Sequence, residues 1–488
     1  MKKGSFLAGT AVLFLFIFSF SVQALEIVDR SPDGKGYKAA LDKAHNKYLV
    51  HLQGNGRKMG YQHGWMLADD VKYICSYQFY RDTAMAFLGG DPKLVSVIKN
   101  DILFKPIIAA LVADARRLSP YIPQEFADEM RGIRDGAKAR LQSEGKDVGE
   151  ISYDHLLVSN MAFDLVLSVA YRIIVKDLKV SAEEEKKIRN NVYQNMHMCD
   201  GFVINKAGTT TGGVMMGRSF MNLWSMCKNT VIMNYNPTYG HRIISPNIPG
   251  FTGIAVGMND AGLSMGMDMV PAEETSVVFS GKGCLLLTRY LLSKHSNVRD
   301  AVDDMDHSAR GVPWIYIMAD AGTGAVAEAG ANTWGGKFPW DHATFGARFI
   351  DWVDTNAPRK NGVQQIENDP RYIVASNHFI MPNIIIENRA KAIEDSTNRY
   401  NTLVRLVGDK VTGGGVSIED GKQLVNYLCP LDYNIYKNTT MYNGNKCGDF
   451  YKSSQGKVDG IRALLDVPNR RVYAMYGNYS DPWAVFQL

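Results

Sequence analysis

The chain has 488 residues, of which 46% are hydrophobic and 21% are charged, and its formal net charge is +4. These proportions are those of a globular protein with ample material for a hydrophobic core. The basic residues are scattered in pairs and form no basic run, so the composition excludes an obvious nucleic-acid-binding segment. We expect no nucleic-acid partner.

The first residues have the pattern of a secretory signal peptide. Lys2 and Lys3 precede an apolar run from Phe6 to Val22, and the small-residue pattern of a cleavage site ends at Ala24. We expect cleavage after Ala24 and export to the periplasm or the medium. The remaining sequence has no second apolar run long enough to cross a bilayer, so we expect no stable membrane anchor.

Residues 25–198 form a predicted N-terminal segment that is largely helical. A short strand is expected at 48–52, followed by a Gly-Asn-Gly turn and a helix that opens at 59–65. Residues 66–175 have apolar positions at spacings of three and four, which is typical of amphipathic helices. Residues 178–198 are polar and charge-rich, as in a solvated connector where a backbone cut is tolerated.

The pattern changes to short strands at Cys199. Residues 201–205 are apolar, a Gly/Thr cluster at 209–213 supplies a turn, and 214–216 resume the apolar run. A cysteine in a buried hairpin is usually a small hydrophobic residue. A cut between Met198 and Cys199 would give it another role, because the new α-amine, with a pKa of roughly 7.7–8.0, could act as base for its own thiol.

Residues 199–488 form the predicted catalytic region, in which strands alternate with pairs of helices. Beyond the hairpin, strands are expected at 230–235, 253–257, 263–269, 314–319, 324–328, 372–379 and 471–476. Helices are expected at 285–294, 298–305, 399–406 and 418–428, with a loop-rich insertion at 331–370. This order favours an α+β protein in which helices pack on antiparallel sheets, as a helix–sheet–sheet–helix sandwich.

Six cysteines are present, and none has the spacing of a metal site: Cys75, Cys199, Cys227, Cys284, Cys429 and Cys447. We therefore predict no metal site and no cofactor. An exported protein can form disulfides, and Cys429 with Cys447 is the first pair we expect. Three disulfides would consume Cys199, and the sequence leaves that question open.

Five blocks follow one another in a recognisable order: Met59–Gly64, Cys199–Phe202 with Gly217-Arg218, Gly257–Leu263, Ser376–Phe379, and Ser396–Tyr400. Together they resemble the N-terminal-nucleophile hydrolases related to isopenicillin-N acyltransferase (peptidase family C45), with choloylglycine and penicillin V hydrolases as more distant relatives. The resemblance implies an αββα fold and autoproteolysis before Cys199. It also implies hydrolysis or transfer of an acyl group held in a linear amide, so that the partners would be a small acyl-amide substrate and the two fragments of one precursor.

The resemblance also assigns catalytic roles. Cys199 would be the nucleophile and its α-amine the proton shuttle. Asn377 would donate a side-chain N–H to the oxyanion, an interaction typically worth about 2.7–4 kcal/mol of barrier. Arg218 would lie beside the nucleophile and favour the thiolate. Taken alone, Asn377 fits a turn cap and Arg218 fits a surface ion pair.

Three further residues would lie on the substrate-binding side: Asn259, His378 and Arg399. A structural role for His378 is an alternative, because the α-amine already supplies the base. Arg399 is equally typical of a solvated or ion-paired arginine on a helix.

Two positions depart from the family pattern. Met221 stands where the family has an acid that orients the amine, and Asp268 stands where many members have an oxyanion asparagine. An ionised Asp268 would repel an oxyanion, so we expect it to be protonated, turned away or used differently. Asp200 could replace the missing acid, or it could face solvent.

Four alternatives remain from the sequence. The chain could be a phospholipase-B-like acyl-ester hydrolase, or a binding protein that lost the chemistry, which Met221 and Asp268 favour. A conventional cysteine–histidine hydrolase would use His378 or His197 as base. A group of methionines could line an acyl pocket or simply fill the core: Met215, Met216, Met265, Met267 and Met269.

Overall fold

The structure is a computed structural model. It describes residues 25–88, 92–165, 181, 183, 199–220, 224–270, 281–331, 345–350, 369–381, 390–426, 460–478 and 481–488. The predicted signal peptide, Met198, His197, Met221 and the pair Cys429 and Cys447 lie outside the described residues.

Several of the helices begin where a polar side chain accepts a backbone N–H of the first turn, as Asn55, Asn100, Ser152 and Asn297 do. The helices of the described residues are α1 (Gly56–Met66), α2 (Ala68–Ile74), α3 (Tyr77–Leu88), α4 (Pro92–Lys99), α5 (Asp101–Leu118), α6 (Gln124–Ser143), α7 (Tyr153–Asn160), α8 (Trp224–Cys227), α9 (Cys284–Lys294), α10 (Val298–His307), α11 (Ala390–Thr412) and α12 (Ile418–Asn426). The four helices predicted after residue 199 are therefore confirmed as α9 to α12, with α11 beginning earlier than expected.

The described strands form two sheets. They are β1 (Glu26–Arg30), β2 (Tyr37–Asp42), β3 (Lys47–Gly54), β4 (Cys199–Ile204), β5 (Met215–Phe220), β6 (Val231–Pro237), β7 (Ile243–Asn247), β8 (Val256–Asn259), β9 (Ser264–Met269), β10 (Trp314–Ala319), β11 (Gly324–Ala329), β12 (Phe345–Phe349), β13 (Tyr372–Ala375), β14 (Ile461–Asp466), β15 (Arg471–Met475) and β16 (Ala484–Gln487). The first sheet has the order β1-β2-β3-β6-β7-β8-β9-β10-β11-β12, and the second has the order β13-β4-β5-β14-β15-β16.

The two sheets pack face to face, and the side chains of β4 show this directly. Successive side chains of a strand point to opposite faces. Cys199 and Val203 belong to the large core shared with the first sheet. Phe202 and Ile204 belong to a second core, which the second sheet forms with α11 and α12. Because α9 packs on β8 and β9 at the outer face of the first sheet, the layers run helix, sheet, sheet, helix. The predicted αββα sandwich is confirmed.

The N-terminal segment is built into the first sheet. The predicted strand at 48–52 is confirmed as β3, which pairs in parallel with β6, Leu49 opposite Ile232. The sequence did not predict β1 and β2, which extend the sheet beyond β3. The polar side chain of Asn160, on α7, accepts the N–H groups of Thr252 and Gly253 at 2.7 and 3.0 Å. Residues 25–165 therefore share a core and hydrogen bonds with the chain after Cys199.

Helices α1 and α6 approach so closely that glycine is required along their contact. A Cβ atom on Gly56, Gly60 or Gly64 of α1 would lie well inside 3.0 Å of a backbone carbonyl oxygen of α6. Gly132 and Gly136 of α6 meet the backbone of α1 in the same way. Gly60 and Gly64 form a G-x-x-x-G pattern in the first sequence block. This pattern serves helix packing, because glycine has no side chain and the two helix backbones can come into contact.

We expect Gly60→Ala to destabilise the protein by about 1–3 kcal/mol, because the added methyl group meets the carbonyl oxygen of Glu129 and the helices must separate. Urea unfolding of the two proteins measures the difference. Lys58→Ala, an exposed change on the same helix, serves as the control and should stay within about 0.5 kcal/mol. Equal effects of the two substitutions would contradict the close packing.

Candidate active site

The hairpin of β4 and β5 places Cys199 and Arg218 on the same face of the second sheet. Cys199 lies opposite Phe220, and Gly201 lies opposite Arg218. Arg218 is therefore the diagonal neighbour of Cys199 across the strand pair. The side chain of Cys199 is 2% exposed.

The described cysteines are thiols and not disulfide partners: Cys75, Cys199, Cys227 and Cys284. The alternative in which three disulfides consume Cys199 is therefore wrong. Burial raises the pKa of the Cys75 thiol to about 12, which makes it chemically inert.

Asn377, just after β13, holds the backbone nitrogen of Cys199. Its Oδ1 accepts the N–H of Cys199 at 2.7 Å and an N–H of Arg399 at 3.0 Å. Its Nδ2 donates to the carbonyl of Met269 at 2.6 Å. Turning the amide over would set its NH2 group against two donors, so these contacts fix its orientation. The carbonyl end of the amide faces the nitrogen of the candidate nucleophile.

The hydroxyl of Ser396, on α11, lies within hydrogen-bond distance of three consecutive residues. Its Oγ accepts the backbone N–H of Asn377 at 2.8 Å and lies 2.9 Å from the Oγ of Ser376 and 2.7 Å from Nδ1 of His378. All four residues are buried. One helix side chain therefore sets the position of the turn that carries Asn377.

Arg399 lies one turn further along α11 and reaches the nucleophile strand. It donates to the carbonyl of Cys199 at 3.2 Å and to the Oγ of Ser376 at 3.1 Å, and it forms an ion pair with Asp200. The side chains of Arg399 and Asp200 are essentially unexposed. The expectation that Asp200 could face solvent is wrong, as is a solvated Arg399. The ion pair arises because Asp200 points to the face of β4 that α11 covers.

Arg218 forms a second buried ion pair, with Asp268 on β9. Its Nη2 lies 2.7 Å from Oδ1 of Asp268, and both side chains are fully buried. It also donates hydrogen bonds to the backbone carbonyls of Asp200 at 3.1 Å, Ser219 and Met267. Its guanidinium group lies over the ring of Phe220, 5.7 Å from the centroid. The surface ion pair considered for Arg218 is therefore wrong. The carboxyl group of Asp268 lies against a guanidinium group of the other sheet.

Burial raises the pKa of Asp268 to about 7, and the charge of Asp200 raises it further, while Arg218 and Arg399 lower it. Desolvation disfavours the ionised carboxylate and outweighs the nearby positive charges. Asp268 therefore changes its protonation state near neutral pH.

His378 is buried beside this network and is neutral. Burial, with the charges of Arg399 and Arg348, lowers its pKa to about 3. Its Nδ1 is bonded to Ser396, and its ring packs edge-on against Tyr400 with centroids 5.6 Å apart. These contacts favour the structural role considered for His378, because an imidazole with so low a pKa is a weak base.

Asn259 lies away from the other site residues. Asn259 is the last residue of β8, at the turn that leads into β9. Asp268 and Met269 lie at the other end of β9. Its Oδ1 accepts the N–H groups of Ala261 and Leu263, and its Nδ2 donates to two backbone carbonyls at the end of α9. In this structure Asn259 holds the turn to the helix, and its role in substrate binding stays a prediction.

In the described part of the chain, no three of the His, Cys, Asp and Glu side chains are grouped in a way that could hold a metal ion. None of the described helices is long and apolar enough to cross a bilayer.

Residues 225–441 match the model of the family named acyl-coenzyme A:6-aminopenicillanic acid acyl-transferase. A protein of Archaeoglobus fulgidus, named only as an uncharacterized protein, is 34% identical over 463 residues, which are 93% of this chain and 68% of that protein. The chain belongs to the N-terminal-nucleophile hydrolases. It shares a family with the Archaeoglobus protein, and the family chemistry is amide hydrolysis or acyl transfer.

Solved structures of N-terminal-nucleophile hydrolases are similar at low scores. A mutant of conjugated bile acid hydrolase from Clostridium perfringens has a TM-score of 0.34 and 12% identity, over 59% of this chain and 92% of that one. An N-acylethanolamine-hydrolyzing acid amidase of Caenorhabditis elegans has 0.34 and 13%, over 55% and 92%. Penicillin V acylase from Agrobacterium tumefaciens has 0.30 and 13%, over 58% and 85%.

The structure brings together most of the residues predicted for the site of this N-terminal-nucleophile hydrolase: Cys199, Asp200, Arg218, Asp268, Asn377, His378 and Arg399. Sequence reasoning gave no role to Ser396 or to the carbonyl of Met269. Ser396 could have been predicted from its spacing, because it lies three residues before Arg399 and therefore on the same helix face. A backbone carbonyl leaves no signal in a sequence.

We expect the stability of the protein to depend on the protonation of Asp268. A carboxyl group whose pKa is raised by folding, here from 3.8 to about 7, binds more protons folded than unfolded between those values. The free energy of unfolding therefore falls as the pH rises through that window. Asp268→Asn cannot titrate at this position. The free energy of unfolding of the variant should therefore increase relative to that of the wild type between about pH 4 and about pH 8, by about 1.4 kcal/mol for each unit of pKa shift.

Urea unfolding of both proteins across this pH range is the measurement. Two parallel curves would show that Asp268 is ionised throughout and would contradict the shift.

Proposed function

We propose that the protein is an exported, autoproteolytic cysteine hydrolase or acyltransferase that acts on an acyl group held in a linear amide. In this proposal, Cys199 becomes the N-terminal residue of the catalytic fragment. The observation that carries the proposal is the contact between the N–H of Cys199 and Oδ1 of Asn377, at 2.7 Å. The nitrogen that processing would convert into an α-amine is already held by a fixed acceptor.

The surroundings of Cys199 suit a reactive nitrogen and sulfur. Arg399 binds the carbonyl oxygen of the same residue at 3.2 Å, so both polar backbone atoms of Cys199 are fixed. Arg218 is its diagonal neighbour and supplies a positive charge that favours the thiolate. The buried setting strengthens such charge interactions.

Processing would begin with the thiol of Cys199 acting on the carbonyl carbon of residue 198. The sulfur bonds to that carbon, the peptide C–N bond breaks, and the nitrogen takes the thiol proton. Water then hydrolyses the thioester. The products are a carboxylate at the end of one fragment and a free amine on Cys199, which can serve as its own base.

In turnover, the α-amine would take the thiol proton as the sulfur attacks the acyl carbonyl of the amide. The second N–H of the Asn377 side chain, beyond the one bonded to Met269, would donate to the oxyanion. The ammonium group then gives its proton to the leaving amine as the C–N bond breaks. Water, or another acyl acceptor, would release the acyl group from the thioester.

Asn377 offers the amine a neutral acceptor, which a carboxylate in the same place would not be. A carboxylate favours the protonated amine and raises its pKa, whereas an amide carbonyl carries no charge. Arg399, which lies 3.0 Å from the same Oδ1, acts in the opposite direction and favours the neutral amine. An unprotonated amine near neutral pH is the form that can accept the thiol proton.

Processing is the first test. Purified wild-type protein should give two fragments on a denaturing gel, and N-terminal sequencing should read Cys199 in one and a start near residue 25 in the other. Cys199→Ala should stay uncut at residue 198 and lack hydrolytic activity. Cys75→Ala, a buried thiol in another layer, is the matched control and should be processed normally. A wild-type chain that stays intact after purification would contradict the proposal.

The substrate class is tested with acyl p-nitroanilides of different chain length and with the matching p-nitrophenyl esters. Hydrolysis of the anilides supports an amide hydrolase. Cleavage of the esters alone would favour the acyl-ester hydrolase. An unreactive Cys199 thiol would favour a binding protein.

Asn377→Asp tests the neutral acceptor. The carboxylate should raise the pKa of the amine, which is ordinarily about 7.7–8.0, and move the acidic limb of kcat/KM to higher pH by about one unit. The carboxylate also lacks the N–H that donates to the oxyanion, so activity should fall about 10²–10³-fold at pH 9 and about tenfold further at pH 6. Asn377→Ala should lose activity about 10²–10³-fold at every pH. An unchanged pH profile in the aspartate variant would mean that Asn377 does not touch the amine.

A further inference from the structure

The turn that carries Asn377 is held from a second side, by the first sheet. Glu328 of β11 is 1% exposed, and its carboxylate accepts the backbone N–H of Ile380 at 3.0 and 3.1 Å and that of Met381 at 2.9 Å. The two sheets face each other here, so a side chain of the first sheet binds the segment that leaves the second.

Arg348 of β12 completes this contact. Its Nη2 donates to the carbonyl of Val374 at 3.1 Å, and its Nε lies 3.8 Å from Oε1 of Glu328. Val374 precedes Asn377 in the chain, and Ile380 and Met381 follow it. The buried pair therefore binds the backbone on both sides of the segment 376–378.

We propose that Glu328 is a positioning residue for the reaction at Cys199, acting through the segment that carries Asn377. The inference rests on the proposed function for the role of Asn377 and Cys199. Glu328 acts through backbone N–H groups of that segment, so it is a positioning residue and not a catalytic one. Its effect would be to keep Oδ1 of Asn377 at hydrogen-bond distance from the nitrogen of Cys199.

A carboxylate suits this task better than any neutral side chain. It accepts from two N–H groups at once and leaves its charge opposed to Arg348. A glutamine amide in its place has one oxygen and one NH2 group. In either orientation of the amide, the NH2 group would face another donor, either a backbone N–H or the guanidinium group of Arg348. The segment would have to shift to relieve that contact, and shifts of about 1 Å at a reacting centre can cost about 10²-fold in rate.

Glu328→Gln is the test, with Glu328→Asp as the conservative variant that keeps the charge. We expect the glutamine variant to lower kcat by about 10–100-fold while KM changes by less than about threefold. The aspartate variant should recover part of kcat, because it keeps the charge on a shorter side chain. Slower processing at Cys199 should accompany the loss.

Glu129→Gln is the matched control. Glu129 is also fully buried and also lies beside an arginine, Arg289 at 3.5 Å, but it belongs to α6, in another layer of the fold. The same substitution there should leave kcat within about twofold of the wild type, whatever it does to thermal stability.

Hydrogen exchange measures the contact without any substrate. The amides of Ile380 and Met381 should exchange at least about tenfold faster in Glu328→Gln than in the wild type, and at the wild-type rate in Glu129→Gln. If the wild type hydrolyses no amide, the proposed function fails while the exchange rates still decide whether Glu328 holds the segment. Wild-type exchange and wild-type kcat in Glu328→Gln would each overturn the inference.

Discussion

The structure around Cys199 depends on four buried ionisable side chains that form two pairs. Two arginines and two aspartates meet where β4 begins, as the pairs Arg399 with Asp200 and Arg218 with Asp268. An isolated charge in such a place would cost several kcal/mol, and removal of one partner leaves the other uncompensated. The two pairs lie on opposite faces of β4, so the strand that starts with the nucleophile is fixed from the helix side and from the sheet side together.

Each pair ties the nucleophile strand to a different layer. Arg399 comes from α11, the helix whose Ser396 holds the Asn377 turn, so one helix positions the strand and the turn in common. Arg218 and Asp268 join the second sheet to the first. The geometry at Cys199 is therefore a property of the whole sandwich, and the hairpin alone would not create it.

The sequence was informative where local pattern and local structure agree. The β4–β5 hairpin, the β8–β9 hairpin, α9 and α10 have alternation or helical spacing that their packing requires, and all were predicted. β7, β14 and β16 were not predicted, although each pairs with a strand next to it in the chain. β7 contains Pro246, which is unusual in a paired strand, and β16 has only four residues. β14 also pairs with β5, which lies far earlier in the chain, and no local pattern indicates that pairing. β13 ends at Ala375, earlier than its apolar run, because the backbone of Asn377 bonds to a helix side chain instead of a strand.

The structure places most of the predicted site residues close together, whereas the sequence did not indicate which of them contact each other. The five blocks named Cys199, Arg218, Asn377 and Arg399 as one group, and the structure joins them. Which carboxylate faces which arginine depends on contacts between residues that lie about 50 or 200 positions apart (Arg218 to Asp268, Asp200 to Arg399). No spacing in the sequence encodes such pairs, and the same holds for Glu328, which looked like an ordinary strand residue.

Asp268 shows why a departure from a family pattern does not by itself imply lost chemistry. At the sequence level, an acid at an oxyanion position argues for inactivity, since an ionised carboxylate would repel the developing charge. In the structure its carboxyl group lies 2.7 Å from a buried guanidinium group, in a setting that also favours its neutral form. Either state removes much of the repulsion: the neutral form carries no charge, and the ionised form is compensated by Arg218.

The same ion pair makes the electrostatic potential at Cys199 depend on how the two sheets pack, because Arg218 is on one sheet and Asp268 is on the other. If one hairpin supplied both the arginine and the aspartate, the ion pair would form within that hairpin. Here the ion pair forms only when the first sheet packs against the β4–β5 hairpin, so the electrostatic environment of Cys199 depends on that packing.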